Sequence, residues 1–304
     1  MPTMQALKNF SELTEHLKNN GVRKRVAVVC ADDPETEYAV CRALREGFAD
    51  FIMVGDRTRL EAYPDLAEFT GRIEIIDIKD PDEAARHAVA LAREGKADVI
   101  MKGIINTDNL LRAILNKETG ILPKGSVLTH ITAGEIPGYH KLLFFSDVAV
   151  IPYPTLEQRK SIIEYGISTL RRFGISQPKV ALIHFTEKVN PKFPNSVDYQ
   201  ELVCLSKEGA FGEAILAGPM DVKTACDLHS AKVKHIESPV CGDADLLIFP
   251  NIESGNTFYK TVTLFAKAEV AGMLQGPKVP VVLPSRSDSG MSKYNSLAMA
   301  ILTA

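Results

Sequence analysis

The sequence predicts an α/β protein made of two three-layer α/β/α domains with mostly parallel sheets. Short apolar runs of four to six residues recur along the chain, and helical patterns separate them. Strands of this kind that alternate with helices are typical of a parallel sheet covered on both faces. A chain of 304 residues is long enough for two such domains, at roughly 150 residues each.

The first half of the chain supplies six predicted strands. A helix is predicted over 5–19, and Asp33-Pro34 opens another over 35–46, because Asp caps a helix well and Pro fits its first turn. Further helices are predicted over 81–94, 109–117 and 156–173. The strands are Arg25–Cys30, Asp50–Val54, Ile73–Ile76, Ala97–Met101, Ser126–Thr129 and Lys141–Ile151.

The second half repeats the pattern after Pro152-Tyr-Pro154, which marks the best candidate for a domain crossing. Helices are predicted near 197–208, after Asn256 through Leu264, and from Met291 through Ile301. The strands are Lys179–His184, Glu213–Ala217, Asp245–Phe249 and Val279–Leu283.

Composition narrows the class of protein. With 45% hydrophobic and 24% charged residues, the chain has the balance of an ordinary soluble globular protein. The net charge of -3 argues against a general nucleic-acid binder. No apolar run approaches the roughly 20 residues that span a membrane, and the N-terminal segment lacks a signal-peptide core. Five cysteines without a C-x-x-C pair fit a cytoplasmic location.

The end of the last predicted strand carries the strongest candidate site. The run to Leu283 breaks at Pro284 and opens onto Ser285, Arg286 and Asp288 before a helix begins. A helix N-terminus favours an anion through its amides and its dipole. The planar guanidinium of Arg286 adds donors that suit a phosphate group. We therefore expect substrate phosphate to bind at this turn.

Two other strand ends offer polar residues. Lys102 and Thr107 follow the strand Ala97–Met101, at the carboxyl edge where α/β sheets bind ligands. The alternatives are that Lys102 is solvated and that Thr107 or Asp108 caps a helix.

The turn after Phe249 carries candidates for ligand binding. Gly255 would allow close approach of a ligand, and its neighbour Ser254 could instead only cap the helix. The candidates in this segment are Asn251, Ser254, Gly255, Asn256 and Lys260.

Several known motifs are absent from the sequence. It contains no G-x-x-x-x-G-K-[ST], no G-x-G-x-x-G after the first strand, no H-E-x-x-H and no G-x-S-x-G. The seven histidines show no close ligand spacing, and His130 and His184 fit structural roles better than binding roles. We therefore expect no metal, no nucleoside triphosphate and no serine-hydrolase mechanism.

Three segments together resemble the phosphate acetyl/butyryltransferase family. They are Lys102-Gly-Ile-Ile-Asn-Thr107, Asp245-Leu-Leu-Ile-Phe-Pro-Asn-Ile-Glu-Ser-Gly-Asn256-Thr-Phe-Tyr-Lys260 and Pro280-Val-Val-Leu-Pro-Ser285-Arg286. Two further blocks, Gly218–Ala225 and Pro154–Gln158, extend the resemblance over most of the chain. The Lys-Gly-Ile-Ile-Asn-Thr form and the Tyr-Pro-Thr-Leu-Glu-Gln run look closer to the butyryltransferase branch.

The resemblance implies a fold similar to isocitrate and isopropylmalate dehydrogenases, with the active site in the cleft between domains. It also implies a first domain of residues 1–150 plus 280–304 and a second of 151–279. The implied reaction converts acyl-CoA and phosphate, reversibly, to acyl phosphate and CoA in a ternary complex. The family needs no cofactor and usually forms a homodimer or larger homo-oligomer.

The resemblance also implies roles for residues. Ser285 and Arg286 match the family's Ser-Arg pair, which is implicated in thiol positioning and phosphate binding. The acetyl branch has an Asp base seven residues after that Ser, where this chain has Ser292. Asp288 is the nearest carboxylate in the turn and is our candidate base. The alternatives are acetyl specificity, a metal-dependent decarboxylating dehydrogenase, and a non-catalytic acyl-CoA sensor.

Overall fold

The computed structural model describes residues 4–285 and 288–304. The chain forms two compact units. The central unit comprises Met1–Asn9 and Thr129–Glu269, and the terminal unit comprises Phe10–Leu128 and Val270–Ala304. The domain boundaries predicted from the sequence lie near residues 150 and 280, whereas the boundaries between the compact units lie at 128–129 and 269–270.

Strands and helices alternate along most of the described chain. The strands are β1 (Lys24–Val29), β2 (Ala49–Gly55), β3 (Ile73–Asp77), β4 (Val99–Lys102), β5 (Thr129–Glu135), β6 (Leu143–Ser146), β7 (Lys179–Ile183), β8 (Ile215–Met220), β9 (Leu246–Ile248), β10 (Glu269–Gln275) and β11 (Val281–Val282). The α-helices are α1 (Phe10–Asn19), α2 (Pro34–Glu46), α3 (Arg57–Leu60), α4 (Pro81–Arg93), α5 (Thr107–Ile114), α6 (Leu156–Arg172), α7 (Pro194–Lys207), α8 (Val222–Cys226), α9 (Leu228–Val233), α10 (Ile252–Leu264) and α11 (Gly290–Thr303).

The terminal unit contains a mostly parallel sheet with the strand order β3-β2-β1-β4-β11-β10. Only the pair β10–β11 is antiparallel among the pairings described for this unit. The strand β1 is buried over Val26–Val29, as expected for a strand covered on both faces. The α/β class predicted from the sequence is confirmed.

The central unit has the strand order β5-β6-β9-β7-β8. The strands β6, β9, β7 and β8 pair in parallel, whereas β5 and β6 are antiparallel. Its core packs aromatic rings such as Phe144 and Phe173, whose centroids lie 4.9 Å apart, against the buried strands. This sheet is therefore also mostly parallel.

Capping residues mark the ends of several helices. Asp33 caps α2 by accepting from the Thr36 amide, and Gly47 ends the helix with a left-handed φ of 89°. Thr155 and Gln158 form a reciprocal capping box at the start of α6. No helix among residues 4–285 and 288–304 is long and apolar enough to cross a membrane.

Three predicted elements need correction. The first helix begins at Phe10 rather than at residue 5, because Leu7 donates its amide to Phe173 O at 2.9 Å in the central unit. The run predicted as one strand over 141–151 is a strand only to Ser146. The predicted strand Ser126–Thr129 is replaced by β5, which starts at Thr129.

Candidate active site

The carboxyl ends of three neighbouring strands meet at one edge of the terminal unit. The strands β1, β4 and β11 are adjacent and parallel, with Met101 of β4 opposite Val28 and Val282. Lys102 ends β4, and Ser285 follows closely after β11. Ligands of α/β sheets bind outside this edge. Lys102 and the turn that carries Ser285 therefore lie on the edge of the terminal unit that suits a ligand.

The side chain of Lys102 is buried at the end of β4. Only 4% of the residue is exposed, and Nζ donates to Gly103 O at 3.1 Å and to Ile105 O at 3.2 Å. The alternative that Lys102 is solvated is therefore wrong. The two main-chain oxygens hold Lys102 Nζ in place at this edge.

Thr107 is exposed at the first position of α5. Asn106 occupies the N-cap position, so the alternative that Thr107 or Asp108 caps this helix is wrong. The Thr107 hydroxyl remains a candidate for substrate binding.

A hydrogen-bonded turn precedes α11. The Ser285 amide donates to Asp288 Oδ2 at 2.7 Å, and the Asp288 amide donates back to Ser285 O at 3.1 Å. Ser289 caps the helix by accepting from the Ser292 amide at 3.2 Å, so Asp288 is not the cap. Asp288 instead closes the turn. Arg286 lies outside the described residues.

Three of the first four amides of α11, those of Gly290, Ser292 and Lys293, have acceptors within the protein. Gly290 N donates to the Glu35 carboxylate, and Lys293 N donates to Ser289 O at 3.0 Å. The Ser292 amide is held by the Ser289 hydroxyl. An anion at this turn would therefore depend on side chains more than on the amides that the sequence suggested.

Cys30 lies at the same edge, directly after β1, with a left-handed φ of 54°. Burial, together with the nearby Asp32 carboxylate, raises the pKa of the Cys30 thiol to about 11. The thiolate is the nucleophilic form of cysteine. Near neutral pH the Cys30 thiol is therefore protonated, which is the less nucleophilic form.

The turn after β9 in the central unit is capped by Asn251. Its Oδ1 accepts from the Ser254 amide at 2.9 Å, and the Ser254 hydroxyl donates to Asn251 O at 2.9 Å. The alternative that Ser254 caps the helix is therefore wrong. Gly255 N donates to Asn251 O at 3.2 Å, so the amides of Ser254 and Gly255 are both occupied.

The remaining candidates on α10 contact the protein itself. A Cβ on Gly255 would lie 2.3 Å from Asp147 O, so this glycine allows the helix to approach the loop after β6. Asn256 Nδ2 donates to Val148 O at 3.0 Å and ties the same loop. Lys260 Nζ lies 4.6 Å from the centroid of the Tyr259 ring.

The Asp147 side chain holds the loop after β6, against which α10 packs. It is buried, and its carboxylate accepts from the Thr129 hydroxyl at 2.8 Å and from the amides of Ala149 and Val150 at 2.8 and 3.0 Å. A buried carboxylate is tolerated only when its oxygens are satisfied in this way. Asp147 therefore shapes the loop against which Gly255 packs.

A cavity of about 850 Å³ opens at the carboxyl ends of β7 and β9 in the central unit. Its walls are mainly apolar and aromatic, and they include two of the sequence candidates. The lining includes Phe185, Phe193, Phe258, Asn195, Asn251 and Ser254. Pockets of this size and composition suit an organic ligand with a few polar groups. The aromatic residues of this cavity were not predictable from the sequence, since apolar residues near strand ends look the same as core residues.

Arg159 fixes two sides of this cavity. It is buried, with 3% of its surface exposed, and its guanidinium donates to Asn195 Oδ1 and to Pro250 O at 3.2 Å. Pro250 immediately precedes Asn251, so Arg159 links the start of α7 to the start of α10. This role of Arg159 was not predictable from the sequence, because no neighbouring residue distinguishes it from a surface arginine of α6.

One group of possible metal ligands occurs among the residues that the structure describes. Atoms of Glu37, Cys41 and Asp65 lie within 4.8 Å of one another. Burial raises the pKa of the Cys41 thiol to about 11, with Glu37 adding to the shift, and a metal would need the thiolate. Glu37 and Cys41 lie on α2, and Asp65 lies in the 3-10 helix Pro64–Phe69. This group is not part of the candidate site at the strand ends.

Comparison with known proteins places these features in a family. Residues 79–301 match the family described as "Phosphate acetyl/butaryl transferase". The chain belongs to this family of acyltransferases. The resemblance that the sequence motifs carried is confirmed, and so is the prediction that the protein is an acyltransferase.

Individual members of the family are similar over nearly the whole chain. The phosphate butyryltransferase of Clostridium acetobutylicum is 37% identical over 98% of this chain and 99% of its own length. The phosphate acetyltransferase of Thermotoga maritima is 35% identical over 97% of this chain and 99% of its own. A branched-chain phosphotransacylase from Enterococcus faecalis V583 has a similar structure, with a TM-score of 0.80 and 33% identity, covering 92% of this chain and 98% of its own.

Proposed function

We propose that this acyltransferase converts a short-chain acyl-CoA, with butyryl-CoA as the preferred substrate, and phosphate into acyl phosphate and CoA. The transfer is reversible and direct, within a ternary complex, and uses no cofactor. The observation that carries the proposal is the edge of the terminal unit, where buried Lys102 and the hydrogen-bonded turn of Ser285 follow adjacent parallel strands. The near full-length similarity to a phosphate butyryltransferase supports the choice of acyl group.

In the forward direction an oxygen of hydrogen phosphate attacks the thioester carbonyl carbon. The new C–O bond forms as the C–S bond breaks, and the phosphate proton ends on the departing CoA sulfur. The positive charges of Arg286 and Lys102 would stabilise the phosphate in this step. Ser285 is exposed and lies in the same turn, where its hydroxyl would orient the sulfur.

In the reverse direction the CoA thiol must lose its proton before it attacks the acyl phosphate. A thiol has a reference pKa near 8.5, so a base speeds this step at neutral pH. We assign that role to Asp288, which is partly exposed and has one carboxylate oxygen bonded to the Ser285 amide. A direct transfer fits the raised pKa of Cys30, which leaves that thiol protonated.

The second part of the proposal concerns the acyl-CoA. The aromatic cavity of the central unit contains Asn251 and Ser254 and has room for part of an acyl-CoA molecule. Asn256, Gly255 and Lys260 would act there mainly by placing α10. We also propose a cytoplasmic homodimer or larger homo-oligomer, and a monomer mass in sedimentation would contradict that.

The direct test is CoA release from a panel of acyl-CoAs, with and without phosphate. Release from butyryl-CoA should require phosphate, yield butyryl phosphate, and be unaffected by chelator or NAD. Butyryl-CoA should have a higher kcat/KM than acetyl-CoA. Release without phosphate would indicate a thioesterase, and no release at all would indicate an acyl-CoA sensor. A preference for acetyl-CoA would move the protein to the acetyl branch with the same mechanism.

A further inference from the structure

The first turns of α2 and α11 exchange hydrogen bonds. Lys293, in the first turn of α11, donates from Nζ to Asp33 Oδ1 at 2.7 Å and to Thr36 Oγ1 at 3.1 Å. In return Glu35, in the first turn of α2, accepts from the amide of Gly290, the first residue of α11. Each helix therefore supplies a charged side chain to the N-terminus of the other.

The contact between Lys293 and Asp33 is a buried ion pair. Lys293 is 4% exposed, and the two side chains retain 5% and 16% of their exposure. Burial alone would raise the pKa of Asp33, but hydrogen bonds from Lys293 and Thr36 outweigh it and hold the pKa below its usual value. Asp33 is therefore charged at neutral pH, and loss of Lys293 would leave a buried negative charge without its partner.

The approach of the two helices is close at the start of α11. A Cβ on Gly290 would lie 2.5 Å from Tyr38 Cδ1 and 2.9 Å from Glu35 Oε2. Only a glycine allows this spacing without a shift of the neighbours. The side chains of Glu35 and Lys293 therefore hold the start of α11 against α2, and Gly290 leaves the space that this close approach needs.

This junction lies directly after the turn that carries the candidate catalytic residues. Ser285 and Asp288 are hydrogen-bonded to each other, and Gly290 follows two residues after Asp288. On the other side of the turn, β11 is a strand of only two residues. The position of the turn relative to Lys102 and β4 therefore depends on the anchoring of α11.

We propose that Asp33, Glu35 and Lys293 are positioning residues for acyl transfer. They touch no substrate, and they hold the hydrogen-bonded turn of Ser285 and Asp288 in register with the carboxyl edge of the sheet. This inference rests on the proposed function. Asp33 and Glu35 precede residue 79, where the match to the family begins, so the proposal extends the functional site into the N-terminal segment.

The first test compares Lys293→Met with a matched control, Lys141→Met. Lys141 also forms a buried pair, with Nζ 2.6 Å from Asp245 Oδ1, at the amino ends of β7 and β9 in the central unit. Both variants should melt below the wild type. Lys293→Met should lose about tenfold to a hundredfold in kcat/KM for phosphate, because small displacements of reacting groups cost that much. Lys141→Met should stay within about twofold of the wild type.

The double variant Asp33→Asn/Lys293→Met separates positioning from stability. Removing the unpaired charge should recover most of the melting temperature that Lys293→Met loses. The kcat/KM for phosphate should stay low, because the hydrogen bonds that Lys293 makes to Asp33 and Thr36 are still absent. Recovery of activity in step with the melting temperature would overturn the proposal, since the pair would then matter only for folding.

Glu35 provides a test that does not depend on a buried charge, because this residue is exposed. Glu35→Ala removes the acceptor of the Gly290 amide and should lower kcat/KM for phosphate by about tenfold. Glu35→Gln keeps an acceptor oxygen and should retain most of the activity. Equal activity of Glu35→Ala and wild type would overturn the proposal. A wild type without phosphate-dependent turnover would instead contradict the proposed function.

Discussion

Arg286→Ala should lower kcat/KM for phosphate by about a hundredfold or more, with an unchanged melting temperature. Removal of a group that stabilises transition-state charge commonly costs about 10²–10³ in rate. Ser285, the residue before Arg286 in the sequence, follows β11 at the carboxyl edge of the terminal unit, where buried Lys102 ends the adjacent strand β4. Initial rates over a series of phosphate concentrations measure this effect, and the KM for phosphate should rise most.

Two further variants show what Arg286 contributes. Arg286→Lys should recover activity only in part, because an ammonium group cannot reproduce the planar pair of donors of a guanidinium. Arg23→Ala is the matched control, since Arg23 is 52% exposed and lies just before β1, at the amino end of the strands. It should behave as the wild type. Full activity of Arg286→Lys would reduce the role of Arg286 to charge, and full activity of Arg286→Ala would place the phosphate elsewhere.

Asp288→Asn should transfer butyryl groups from butyryl phosphate to CoA about a hundredfold more slowly than the wild type. Loss of a general base typically has an effect of about this size. Asn keeps an oxygen that can accept from the Ser285 amide, so the turn and the melting temperature should be preserved. The deficit should shrink as the pH rises toward the thiol pKa near 8.5, because CoA then ionises without help.

Asp288→Ala is the companion variant because it removes the base and also the acceptor that closes the turn. It should be less active than Asp288→Asn at every pH. Near-normal activity of Asp288→Asn at pH 7 would show that the carboxylate only closes the turn. In that case solvent or Ser285 would handle the proton, since the Ser292 hydroxyl donates to Val270 O at 3.2 Å.

The sequence predicted the fold class because the buried strands are written as continuous apolar runs. Val26–Val29 and Val180–Ile183 are examples that stand out against charged neighbours. The strand β10 was missed, since Glu269–Gln275 mixes polar ends with Gly272 and forms an antiparallel pair with β11. The strand predicted over 141–151 was too long, because the Asp147 carboxylate accepts hydrogen bonds from the amides of Ala149 and Val150 and so ends the strand. No sequence pattern indicates these hydrogen bonds.

The site was predictable where one segment carries both the strand end and the polar residues. Ser285, Asp288 and Lys102 are of this kind, and the structure gives each a position at the carboxyl edge of the terminal unit. The roles of caps were not predictable, because Asn251 and Ser254 are equally good capping residues in sequence. Lys293 and Asp33 are 260 residues apart, so their pairing could not be seen without the fold.

The central claim is that phosphate attacks the thioester directly, without an acyl-enzyme. Isotope exchange between labelled CoA and unlabelled butyryl-CoA tests it most directly, after a phosphate-scavenging enzyme has removed traces of phosphate. Direct transfer predicts that no label enters butyryl-CoA until phosphate is added, and that exchange then begins. Exchange at a rate near turnover in the absence of phosphate would demonstrate a covalent acyl-enzyme and contradict this account.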